Sequence, residues 1–351
     1  MKRSFFNIND YKAAAQAIMN KDAWDYSYCG ADDEITRSEN AESFSEYKFI
    51  PQRLNNAYSP DLSTKILGQT VSSPIILAPI SPLTLIHEDG ELAQAAAGKE
   101  TNHIAAISMD CHYQLENVAQ YDNKLWFQMY CYGDRAFLKE IITRVENSGY
   151  KALVVTVDCT ILGNRERLLR SSFKMPSQIK MGNLDNLYKD TKEQLVSGSV
   201  ERIKLTWDDM VWMRSQTTLP LIIKGLLHPN DVKRAMELGA DAVVLSNHGG
   251  RQLDHSIAPI VVLEEVRDLV GDQLEIYLDG GIGRGTDILK SICLGANAVL
   301  IGRAYLWGLA VAGKTGIIDV LNLLSNEMKK SMIQLGVDYI SDLNKDLIRE
   351  C

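Results

Sequence analysis

Short apolar runs rich in β-branched residues recur along the chain, each ending in Gly, Pro, Ser or a polar residue and followed by a stretch with helical spacing. There are eight: PIILAP from Pro74, IAAIS from Ile104, LWFQMY from Leu125, ALVVTVD from Ala152, PLIIKG from Pro220, AVVLSN from Ala242, IYLDG from Ile276 and AVLIGR from Ala298. Runs this short and continuous suit strands covered on both faces, because a sheet with one wet face would alternate apolar and polar positions. Their alternation with helices predicts right-handed βαβ units on a parallel sheet, and eight such units predict an α/β fold of the (β/α)8 barrel type. The intervening helices carry start and stop signals. HPNDVKRAMELGA has Asp231 near its start and Gly239 at its end, and GTDILKSICLGA closes on Gly295.

Spacing then divides the chain. About 68 residues separate the starts of the fourth and fifth runs, where other units take roughly 20 to 35. The surplus, 171–202, is rich in Lys, Asp, Ser and Gly, and predicts either a long mobile loop after strand 4, over the barrel mouth, or an insertion with no role. Residues 1–70 include the helical stretch DYKAAAQAIMN and are expected to form an N-terminal helical cap on a single domain whose barrel takes 71–351.

In a barrel of this type the reacting groups lie at the C-terminal ends of the strands. Those ends carry Gln128 and Tyr130, Thr156 and Asp158, Lys224, then Ser246, Asn247 and His248, then Asp279, and last Arg303. The loops after strands 7 and 8, the usual phosphate site, read DGGIGRG and IGR. Glycines 280, 281, 283 and 285 would let backbone N–H groups approach a phosphate, with Arg284 and Arg303 supplying charge. A dinucleotide fingerprint starting at Gly281 would need glycine at 286 and meets Thr286, which disfavours a nicotinamide cofactor.

Composition is that of an ordinary globular chain: 351 residues, 46% hydrophobic and 23% charged. A net charge of −8 with no basic patch argues against a nucleic-acid or membrane partner. Six cysteines without a CxxC spacing suit reduced thiols in the cytoplasm, and no signal-like or continuous 18-residue apolar stretch is present.

The segment SNHGGRQLD, 246–254, resembles the active-site signature of the FMN-dependent 2-hydroxy acid oxidases and dehydrogenases, the group of glycolate oxidase, lactate oxidase and mandelate dehydrogenase. Further similarities run in order along nearly the whole chain: DYSYCGADDE, PIILAPIS, WFQMYCYGDR, TVDCTILGNRE, LPLIIKG, LDGGIGRGTD and the terminal IGR. The resemblance implies a (β/α)8 flavoenzyme that oxidises a 2-hydroxy acid to a 2-oxo acid and passes the electrons to oxygen or another acceptor. It implies His248 as general base, Asp158 as partner of its imidazolium, Tyr130 on the substrate oxygen, and Lys224 beside the flavin N1/O2 edge, where its charge would stabilise reduced flavin. Arg165 and Arg251 would hold the substrate carboxylate, with Tyr26 adding a hydroxyl. FMN would be held by Pro79, Ile80, Ser81, Ser108, Gln128, Thr156, Lys224, Ser246, Asp279, Gly280, Gly281, Gly283, Gly302 and Arg303. Ser108 and Thr156 could equally be satisfied strand-end hydroxyls. Related barrels are often homotetramers.

Three positions depart from the family pattern. Gly283 stands where an arginine is usual, so the phosphate is expected to rest mainly on Arg303 and backbone amides, with Arg284 pointing elsewhere. Ser81 stands where a smaller residue commonly faces the flavin. Asp110 stands where an aromatic often lines the substrate pocket; it would either meet a polar or cationic substrate group or turn away to cap the following helix. Two other functions are open at this point: oxidation of an amine or peptide-derived substrate on the same barrel, and flavin or phosphate binding without turnover.

Overall fold

The computed structural model describes residues 5–55, 57–171, 173–184 and 204–351. The chain opens with helices α1 (Ile8–Ile18), α2 (Lys21–Tyr28) and α3 (Ile35–Glu42), then strand β1 (Tyr47–Phe49) and a hairpin of β2 (Thr64–Ile66) and β3 (Gln69–Val71). Local chemistry starts two of these helices: the Asn7 and Asn20 side chains accept from the backbone N–H groups of Asp10 and Ala23.

Each of the eight apolar runs forms a strand. They are β4 (Ile75–Leu77), β5 (Ile104–Ser108), β6 (Trp126–Met129), β7 (Ala152–Thr156), β8 (Leu221–Leu226), β9 (Ala242–Leu245), β10 (Glu275–Asp279) and β11 (Ala298–Ile301), all parallel and closed into one barrel. Alternate positions divide between two apolar layers, which explains why the runs are continuous. Ile76, Ile104, Ala106, Trp126, Val154, Ile222, Val244, Tyr277 and Leu300 fill the interior, whereas Ile75, Leu77, Ile107, Phe127, Val155 and Ile223 belong to the layer under the helices. The hairpin plugs the barrel: Ile66 and Val71, fully buried, pack with the interior side chains.

The C-terminal mouth is roofed by the cap. Helix α1 lies on α12 (Arg303–Leu335), Trp24 of α2 stacks on Trp307 at 4.8 Å, and β1 pairs antiparallel with β12 (Ile348–Glu350). Helix α12 is long and apolar enough by composition to cross a bilayer, but it bends at Ala312–Gly313 and packs on α1, α4 (Gly90–Thr101) and α11 (Gly285–Cys293). Of the stretch expected as a mobile loop, Ser171 ends α7 (Glu166–Ser171) and 173–184 is irregular but packed. Ile179, Met181 and Leu184 are buried, and the Asn183 amide donates to Met109 O (3.0 Å) while its oxygen accepts from Leu115 N (2.8 Å). Residues 172 and 185–202 of that expectation lie outside the described residues.

Candidate active site

The strand ends meet in one cavity of about 790 Å³ between the barrel mouth and the cap. His248 enters it on an unusual turn. His248, Gly249 and Gly250 have φ of 60°, 64° and 73°, a left-handed run that costs a non-glycine residue free energy and holds the imidazole where a strand would not. Gly250 is required by close approach as well, since a Cβ there would lie 2.4 Å from Arg37 N.

Around the imidazole the groups are ordered by role. Asp158 Oδ1 lies 2.9 Å from His248 Nδ1, so Nδ1–H donates to the carboxylate and Nε2 is left facing the Tyr130 hydroxyl at 3.5 Å. Cys159 Sγ lies 3.4 Å from Nδ1. Burial opposes the imidazolium, but Cys159 and Asp158 outweigh it and raise the His248 pKa to about 9. For Asp158 burial likewise opposes ionisation, yet His248 and then Lys224 hold its carboxyl below the ordinary range. Gly225, φ 104°, makes room: a Cβ there would lie 2.6 Å from Asp158 Cγ.

Two guanidinium groups lie beside this cluster. Arg251 Nη1 donates to the carbonyls of Tyr26 (2.8 Å) and Cys29 (3.1 Å), and its guanidinium lies 5.5 Å from the Tyr26 ring centroid. Arg165 Nη2 is 3.3 Å from Gln252 Oε1, and its Nε–H is buried with no acceptor among the described residues. Burial and then Arg251 lower the Arg165 pKa, so an anion bound between the two guanidinium groups would relieve Arg165, whereas at Arg251 burial is outweighed by Cys29 and Tyr26, which raise its pKa. Asp110 lines the same cavity; Tyr132 Oη donates to its Oδ2 at 3.0 Å and Ser81 Oγ donates to its backbone oxygen. It does not cap the next helix, α5 (Leu115–Ala119), whose N-cap is Gln114.

A second buried cluster lies on neighbouring strands. Lys224 Nζ is 2.8 Å from both Ser246 Oγ and Asp279 Oδ2, and Ser246 Oγ donates to Asp279 at 2.7 Å. Burial would depress the Lys224 pKa, but Asp279 and Asp158 raise it, so the ammonium stays charged. Gln128 and Thr156 stand in register with Ser108 and Lys224; Gln128 Nε2 and Thr156 Oγ1 are buried without a partner among the described residues. Such orphaned groups cost about 1–3 kcal/mol each, and a heteroaromatic ring with polar edges would satisfy them. Pro79, Ile80, Ser81 and Ser108 line the cavity nearby, as do Gly280, Gly281, Gly283 and Gly302 at its other end. The donor set therefore fits FMN.

The phosphate end differs from expectation in its loop amides. Gly283 N and Arg284 N both donate to Asp287 Oδ2 (3.0 and 2.9 Å), and Gly285 N donates to Glu327 (2.7 Å), so three loop amides are satisfied internally. Arg284 turns to Glu327 at 3.1 Å, away from the cavity. Arg303 does line the cavity, but its guanidinium donates to the carbonyls of Ser27, Gly249 and Cys29 (3.1, 2.9 and 3.0 Å). Cys159, Gln252, Lys12 and Arg37 also belong to the site and escaped sequence reading. The first two adjoin Asp158 and Arg251 in the chain, which was a usable signal; the last two lie in the cap, where nothing local marks them.

A barrel whose strand ends gather an imidazole–carboxylate pair, paired arginines and a buried lysine beside orphaned polar groups is the architecture of a flavin-dependent oxidoreductase. The chain belongs to the FMN-dependent dehydrogenase family, whose model it matches over residues 15–350. It is 38% identical over 351 residues to a 2-hydroxyacid oxidase of Dictyostelium discoideum, covering 98% of this chain and 90% of that one. It is 38% identical over 355 residues to an L-lactate oxidase of a Nostoc species, covering 97% of each. Its structure is similar to that of a mandelate oxidase variant with (S)-mandelic acid, at TM-score 0.91 and 31% identity over 97% of each chain. The protein is an FMN-dependent oxidoreductase of the 2-hydroxy acid oxidase group, acting on CH–OH.

Proposed function

We propose that the protein oxidises a 2-hydroxy acid bearing a polar or cationic side chain, and that oxygen is the electron acceptor. The observation that carries the reaction is the convergence of His248 Nε2, Tyr130 Oη, Arg165 and Arg251 on one cavity. The two guanidinium groups bind the substrate carboxylate and set its α-carbon toward the imidazole. Conversion of the hydroxy acid to the oxo acid removes two protons and two electrons. His248 Nε2 takes a proton, Asp158 fixes the tautomer that leaves Nε2 free and stabilises the imidazolium, and Tyr130 hydrogen-bonds the reacting oxygen. FMN, when bound, would supply the acceptor of the two electrons and of the other proton. Lys224, charged and buried beside Ser246 and Asp279, offers positive potential to it.

Asp110 supports the polar-substrate reading: it lines the cavity, is held by Tyr132, and lies near enough to raise the Tyr26 pKa, behind burial as the main cause. The oxidase reading is supported by relatives that are oxidases. A homo-oligomer, a tetramer on the family resemblance, is supported by the exposed apolar side chains Leu253, Ile257 and Val261. A cytoplasmic location is supported by the six cysteines, none of which forms a disulfide among the described residues and five of which are buried. The test is anaerobic bleaching of the yellow holoprotein by lactate and by amino- or hydroxyl-bearing 2-hydroxy acids, followed by admission of air. Faster bleaching by the polar acids and prompt recolouring with peroxide release are expected. Preference for lactate would remove the substrate reading, and a bleached protein that stays bleached in air would remove oxygen as acceptor.

A further inference from the structure

The cavity end bordered by Gly280–Gly283 and Gly302 lacks a loop cation. A Cβ built on Gly283 would meet nothing nearer than Gly281 O at 4.0 Å, and Arg284 is turned onto Glu327. Three consecutive loop amides donate to Asp287 and Glu327. This end of the cavity nevertheless holds positive charge, from the other side. Lys12 of α1 and Arg37 of α3 both line the cavity and converge on Tyr28, and Arg37 lies near Arg303 and the Gly250 turn. Lys12 Nζ donates to the Tyr28 hydroxyl at 3.2 Å, and the Arg37 guanidinium lies 4.3 Å from the centroid of the same ring. Burial works against ionisation of that phenol, yet Lys12 and Arg37 pull its pKa below the ordinary value.

The pairing around Arg37 is incomplete. Arg37 pairs with Glu34 at 3.0 Å, but Glu34 is shared with Arg167 at 2.8 Å. Arg37 Nε–H is buried with no acceptor among the described residues. Arg37 is also close enough to Arg303 to disfavour its charge; with burial and Arg251 this lowers the Arg303 pKa to about 9. Glu39 and Glu42, on the same helix, are exposed, and Arg167 also meets the buried Asp25 at 3.8 Å. A partly buried Arg37 whose carboxylate is shared with Arg167 and whose Nε–H is unspent, next to Lys12, is suited to an anion.

We propose that Arg37 and Lys12 of the N-terminal cap bind the FMN phosphate together with Arg303, replacing the cation that the loop after β10 lacks at Gly283. The inference rests on FMN as the cofactor. A phosphate in this place takes the idle Arg37 Nε–H and the Lys12 ammonium as donors, and the N-terminus of α12 adds favourable potential.

The test is the dissociation constant of FMN and of riboflavin, which lacks only the phosphate, for flavin-stripped full-length protein followed by fluorescence quenching. Lys12→Gln and Arg37→Gln are each expected to weaken FMN by about tenfold, the loss of one charge-assisted contact, and to leave riboflavin unchanged. Gly283→Arg is expected to tighten FMN and to restore it in the Lys12→Gln background. Arg37→Gln also strips Glu34 of a partner, so should that variant not fold, Lys12→Gln and Gly283→Arg decide alone. Equal losses for FMN and riboflavin, or none for either, would overturn the inference and leave the oxidase reading standing. Failure of the wild-type protein to bind either flavin would instead remove the FMN reading on which it rests.

Discussion

His248 shows how a single side chain is tuned by what it touches. Its Nδ1 faces Asp158 at 2.9 Å and Cys159 at 3.4 Å, and together they raise its pKa to about 9 against the effect of burial. A general base works only when unprotonated, so the sign is fixed: kcat/KM must fall as the pH drops below this raised pKa, with the limb well above the ordinary imidazole value of about 6.5. Asp158→Asn removes one source of the shift, and the limb is expected to move down while the plateau rate also falls, because the amide neither fixes the tautomer nor stabilises the cation. A limb that stays put in Asp158→Asn would detach Asp158 from the base. Asp158 and His248 were both visible in the sequence as strand-end residues. Cys159 was not, because a thiol after an aspartate carries no local signature of contact with an imidazole 89 positions away.

At the level of elements, the loop after β9 explains why two glycines follow the histidine. Gly249 and Gly250 continue the left-handed run, and the Gly250 site has no room for a methyl group against Arg37 N. Gly250→Ala is therefore expected to destabilise by more than about 1 kcal/mol, the usual scale of such strain, and to disturb His248 in the same step. Thermal melts paired with flavin-reduction rates check this; a variant with unchanged melting temperature and rate would show that the turn tolerates a Cβ. The strands themselves were legible because a barrel strand is buried on two sides, which writes an unbroken apolar run into the chain. The cap was legible only as helices. That α3 brings Arg37 into the cavity, that the β2–β3 hairpin plugs the barrel and that 173–184 packs through Asn183 are all long-range contacts with no local periodicity to announce them.

For the whole molecule, the division of labour is between a barrel that carries the chemistry and a cap that closes over it. His248, Tyr130, Asp158 and Lys224 come from the barrel; Tyr26, Arg37 and Lys12 come from the first 40 residues and line the same cavity. The cap covers the buried arginine pair, and the low dielectric there strengthens its hold on a carboxylate. The central claim is that proton transfer to His248 Nε2 drives oxidation of the bound acid. The most direct measurement is the anaerobic rate of loss of flavin absorbance on mixing holoprotein with its best 2-hydroxy acid, compared between wild type and His248→Gln. The account predicts unchanged FMN content and substrate affinity in the variant, with a rate lower by about 10² to 10⁴, the contribution of a positioned base; reduction at close to the wild-type rate would contradict it.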